Sequence, residues 1–121
     1  MIEGTLIAES LRVGTNLQNL TLTVRKISRY RAQGPTPDQP DIWTVLDFEA
    51  DEAGARELAE AFAGVLDQPG WYVDFHSPTD TFVVFPGRIF RYPRGDEAGR
   101  ADAQAYGRQL AIPEPQLDWT V

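Results

Sequence analysis

Residues Trp71 to Tyr92 read WYVDFHSPTDTFVVFPGRIFRY, and this stretch decides the fold. Three short runs rich in aromatic and β-branched residues, Trp71 to His76, Thr81 to Phe85 and Arg88 to Tyr92, are divided by Ser77-Pro78-Thr79-Asp80 and by Pro86-Gly87. Such side chains suit a pleated surface and such punctuation suits tight turns, so the spacing predicts an antiparallel meander. In the first run Tyr72, Asp74 and His76 alternate with Trp71, Val73 and Phe75, which puts the polar set on one face of the sheet.

Upstream, Gly4 to Val13 is strand-like up to the turn signal at Gly14-Thr15-Asn16. Leu20, Leu22 and Val24 then alternate with Thr21, Thr23 and Arg25, and Ile27 falls on the polar parity. A β-bulge near Lys26 repairs that slip. Ala32 to Asp41 holds Gly34, Pro35, Pro37 and Pro40 and is expected to be an exposed loop, the least ordered part of the chain. Ile42 to Ala50 reads as a third strand. Asp47 and Glu49 share a parity with Trp43 and Val45, so burial of that face fades along it. Asp51 caps a helix in which Ala55, Leu58, Ala59, Phe62, Val65 and Leu66 form one apolar stripe, stopped by Pro69-Gly70.

Downstream of the meander, Asp96 caps a second helix to about Ala111, with Ala98, Ala101 and Ala105 as a face of small residues suited to close packing. Gly99 and Gly107 each weaken that helix by up to ~1 kcal/mol relative to alanine. An irregular tail follows through Leu117 and Trp119. The expectation is an α+β domain, a mainly antiparallel sheet of five to six strands with two helices packed on one face. Its order is βββαββα, the last strand group being a pair or three strands. The other face is then solvated, bound or paired.

Gly70-Trp71-Tyr72-Val73-Asp74-Phe75, Val83-Val84-Phe85, Phe90-Arg91-Tyr92-Pro93-Arg94-Gly95-Asp96 and Gln116-Leu117-Asp118-Trp119 resemble a family of small uncharacterised bacterial proteins of unknown function. The resemblance covers mainly residues 70 to 119. It implies a bacterial, cytoplasmic protein and brings no activity, cofactor or site residue with it.

Composition bounds the function. The 121 residues suit one domain that buries about two-thirds of its unfolded surface. The absence of cysteine removes disulfides and thiolate chemistry and fits a reducing compartment. Neither a signal-peptide pattern nor a long apolar run is present, so a soluble, cytoplasmic protein is expected. A net charge of −7 opposes nucleic acid and anionic membranes. Against that trend Arg25, Lys26, Arg29 and Arg31 form a basic strip beside Tyr30. It suits either a phosphate backbone or pairing with the protein's own acids, and the second is the stronger reading.

His76 is the only histidine, which excludes metal sites needing two imidazoles. The row Tyr72, Asp74, His76 has the chemistry of a proton-transfer set, and equally that of any solvated strand face. Ser77 lacks a nucleophile elbow and belongs to its turn. The acidic run Asp47, Glu49, Asp51 and Glu52 matches no calcium loop, and capping explains part of it. Pro93 to Asp96, with Arg91 or Arg94 nearby, offers an anion only a helix N-terminus that Asp96 already contests.

No catalytic residue, metal ligand or cofactor is assigned. Rings stand on both strand parities, Trp71, Tyr72, Phe75, Phe82, Phe85, Phe90 and Tyr92 among them, more than one face of a small sheet needs. That surplus points to a non-enzymatic protein-interaction or regulatory module, with a homo-oligomer or an unknown protein as partner. The alternative is a small-molecule-binding protein or enzyme with a polar site at Tyr72, Asp74 and His76. The binding candidates are Tyr72, Asp74, His76, Arg88, Arg91 and Tyr92.

Overall fold

The computed structural model describes residues 1–119. Strands β1 (Ile2–Ile7), β2 (Thr23–Arg31) and β3 (Ile42–Ala50) precede helix α1 (Ala55–Val65); β4 (Val73–His76), β5 (Asp80–Phe85) and β6 (Arg88–Pro93) precede helix α2 (Glu97–Gln109). All six strands form one antiparallel sheet in the order β2-β3-β1-β4-β5-β6. The mixed α+β class and antiparallel sheet are as the sequence predicts, and the final strand group holds three strands. No described helix is long and apolar enough to cross a membrane.

The parity slip at Ile27 resolves as expected. Val24 registers with Phe48 and Lys26 with Asp47, so Arg25 is the extra residue of a bulge and both Val24 and Ile27 point to the side of Phe48. The first strand ends earlier than its pattern suggests. A 3₁₀ turn at Ala8–Ser10 follows it, where the Ser10 hydroxyl donates to the Ile7 carbonyl (2.6 Å). Such a local bond competes with a ladder bond and turns the chain away.

The two helices do not share a face, contrary to the expectation. Phe82 and Val84 of β5 pack in the core of α1, with Phe48, Phe62 and Phe75. Val83 and Phe85, of the opposite parity, pack in the core of α2, with Tyr92, Ala103, Ile112, Leu117 and Trp119. A strand apolar on both parities is buried on both faces. The surplus rings are thereby covered within the chain: among the aromatic residues Tyr30 alone is a large exposed ring.

On the α1 side, Phe75 stacks on Phe82 (4.7 Å between centroids) and meets Phe62 edge-on (6.2 Å). Full burial of one such ring contributes about 2–3 kcal/mol. Gly4 registers with both Phe48 and Phe75, and a Cβ there would stand 2.5 Å from the Phe75 Cβ. Only glycine lets the two rings meet across β1.

The packing face of α2 also differs from the expected one. Ala98, Ala101 and Ala105 are exposed, while Ala103 and Gly107 are buried and Gly99 is partly so. A Cβ on Gly107 would lie 2.7 Å from Leu117 Cδ2. The glycines that weaken the isolated helix are the residues that let it approach β6 and the tail.

The loop 32–41 is mainly exposed, but Gln39 is buried. Its amide donates to the Gly70 carbonyl (3.0 Å) and to the Gln116 side chain (3.2 Å), tying loop, β4 entry and tail together.

Candidate functional site

Helix α2 and the tail pack over β5 and β6, where Val83, Phe85 and Tyr92 are buried; towards β1 and β3 the same face carries Thr5, Ile7, Trp43 and Asp47, which are only partly buried. Where cover ends, a groove of about 390 Å³ runs between the sheet and the tail. Its sheet floor is Thr5, Ile7, Trp43 and Asp74, side chains that share a face by parity and register. Tyr30, cross-strand partner of Trp43, extends one wall, and Gln116 and Asp118 of the tail form the other. Trp71, buried with the α1-side core, meets Trp43 (5.3 Å between centroids). The groove is thus aromatic at one end and acidic at the other.

Asp74 lies at the acidic end. Burial pushes its carboxyl up to about 6, and the negative charge of Asp118 adds to the rise. Among the described residues neither acid takes part in an ion pair within 4.0 Å. Neighbouring carboxylates on this face do have partners. Asp47 accepts from the Thr5 hydroxyl (2.9 Å), Glu49 lies 3.6 Å from Arg25, and Glu3 lies 3.6 Å from His76.

Tyr72 sits between groove and core. Its hydroxyl donates to the Gln116 carbonyl, and its ring meets Trp119 edge-on (5.2 Å). Burial, then the charges of Asp74 and Asp118, raise its pKa, so the phenol stays protonated. With its proton engaged by the tail, Tyr72 positions the groove wall.

The remaining candidates fall elsewhere. His76 shares the face of Asp74, as parity predicts, and the two line an adjoining hollow in which His76 lies beside Glu3. Arg88 stacks over Phe90 (4.8 Å) and Tyr106 (5.3 Å) on the α2 side. Arg91 projects to the α1 side, over Phe82 (5.0 Å), and donates to Asp80 (2.6 and 3.0 Å). Tyr92 is buried and its hydroxyl accepts from Trp119 Nε1 (2.7 Å), which makes it a packing residue rather than a surface contact.

The lesser motifs resolve locally. Ser77 Oγ accepts from the amides of Thr79 (3.2 Å) and Asp80 (2.9 Å), closing its turn. Asp96 accepts from the amides of Ala98 (3.1 Å) and Gly99 (3.2 Å), filling the helix N-terminus an anion would use. Asp51 caps Ala53 (3.1 Å). Among the described residues no group of three His, Cys, Asp or Glu is placed to hold a metal ion.

Sequence reasoning reached Tyr72 and Asp74 but not Trp43, Gln116 or Asp118 as their companions. Trp43 carried a signal, since it shares a parity with the acids of β3; the tail carried none, because its path over the sheet is set by contacts far apart in sequence. No family model, curated protein or solved structure matches the chain. The resemblance over residues 70 to 119 therefore finds no counterpart there.

Proposed function

We propose that the protein is a non-enzymatic binding module whose groove takes a cationic group carried on an apolar body, an ammonium or guanidinium on an alkyl or aryl frame. The observation that carries this reading is the pairing of Asp74 and Asp118, two acids without a cation partner among the described residues, with Trp43, Trp71 and Tyr30 in one groove. A carboxylate held in low dielectric gains most from a cation that enters with it. Aromatic faces add about 0.5–2 kcal/mol to such a contact. A non-catalytic role is supported by the engagement of the Tyr72 hydroxyl with the tail. Cytoplasmic residence belongs to the same reading and rests on a cysteine-free sequence.

Thermal shift with tryptamine tests it, set against 3-methylindole, which has a similar ring and no charge. Tryptamine is expected to raise the melting temperature and to lose that effect in Asp74→Asn. Equal shifts from both compounds, or none from either, overturn the reading. A protein partner is the second reading, favoured by the exposed apolar residues of β2 rather than by surplus rings.

A further inference from the structure

Strand β2 ends the sheet and, among the described residues, has no neighbour on its outer side. The Ala32 amide donates to the Asp41 carbonyl (2.7 Å), continuing the β2–β3 register, so that pair is hydrogen-bonded. Hydrogen-bonded and open pairs alternate along an antiparallel ladder. Ile27, Arg29 and Arg31 accordingly turn their amides and carbonyls outward. The bulge at Arg25 ends the regular ladder on the other side. What remains, Lys26 to Arg31, is a short, regular, unpaired edge.

Its side chains are unusual for so acidic a protein. Ile27 is 66% and Tyr30 51% exposed, the apolar exposure of a strand that lacks cover. Lys26 and Arg29 have no carboxylate within 4.0 Å among the described residues; the Arg31 to Asp41 pair, at 4.0 Å, is open to solvent. Basic residues on an edge deter pairing with another copy, since antiparallel self-pairing would set these cations against each other. The same cations favour a strand of opposite charge.

We infer that β2 is an acceptor edge for an extended acidic segment of another protein, which adds as a seventh strand. Main-chain bonds to Ile27, Arg29 and Arg31 hold it, acids opposite Lys26, Arg29 and Arg31 select it, and an apolar residue covers Ile27. This inference is independent of the groove and survives its failure.

The probe is the peptide Glu-Thr-Glu-Thr-Val-Glu with blocked ends, titrated into the whole chain at low salt and followed by amide NMR. It is expected to bind at least about tenfold more tightly than its counterpart with lysine at each glutamate. Exchange of the Ile27, Arg29 and Arg31 amides should slow on binding. The acidic peptide N-methylated at the residues facing those three keeps its charge and should lose at least about tenfold in affinity. Arg29→Glu, at an exposed position, should weaken binding without a change in melting temperature. Equal binding of the N-methylated peptide, failure of the acidic peptide at millimolar concentration, or preference for a single-stranded oligonucleotide overturns the inference.

Discussion

Gly99 of α2 lies flat against Tyr92 of β6, so close that a Cβ on the glycine would stand 2.5 Å from the Tyr92 Cβ. Helix propensity alone would make Gly99→Ala stabilising by up to ~1 kcal/mol. The contact reverses the sign: Tyr92 is buried and held by Trp119, so overpacking is expected to destabilise the protein by about 1–3 kcal/mol. Urea denaturation checks it, with the exposed Ala101→Ser as a near-neutral control. A stabilised Gly99→Ala contradicts the packing.

Tyr92 itself is predicted to matter for stability and not for binding. Tyr92→Phe removes the acceptor of the buried Trp119 Nε1 and should lower stability by about 1–3 kcal/mol. Tryptamine affinity should stay within about twofold of the parent protein, because Tyr92 does not line the groove. Arg91→Ala, which breaks an exposed pair with Asp80, should change stability by less than about 1 kcal/mol. Loss of binding in Tyr92→Phe at full occupancy of the folded state would bring Tyr92 back into the site.

Most of the sheet was legible in the sequence, and the misplacements have identifiable causes. The slip at Ile27 announced the bulge at Arg25, and Ile42–Ala50 was visible from its composition. The run Phe82-Val83-Val84-Phe85, apolar on both parities, held the evidence for cover on both faces. Reading the helices as a single layer passed over it. In α2 the alanines suggested a packing face, but Gly99 and Gly107 meet their neighbours at distances a methyl group cannot occupy. Parity placed Tyr72 and Asp74 on one face, yet Gln116 and Asp118 reach them only through the fold of a tail with no periodic pattern.

Asp74 makes stability depend on pH in a particular sense. Its carboxyl rises from an ordinary 3.8 to about 6. The folded protein then holds the proton more tightly than the unfolded chain, so stability falls as pH rises from about 4 to about 6 and stays reduced above that. A rise of this size corresponds to a loss on the order of 3 kcal/mol. Asp74→Asn is expected to recover about 1–3 kcal/mol near neutral pH and little near the ordinary carboxylate pKa. Denaturation at both pH values decides: an equal effect at each would mean that the carboxyl is not raised.

The groove reading rests on Asp74 as a carboxylate awaiting a cation, and a carbon-13 titration of that carboxyl tests it most directly. In the free protein Asp74 should titrate at about 6, and with saturating tryptamine its midpoint should fall by about one unit or more, because the bound ammonium favours the ionised form. A free midpoint near the ordinary 3.8, or one that tryptamine leaves in place, would contradict the account.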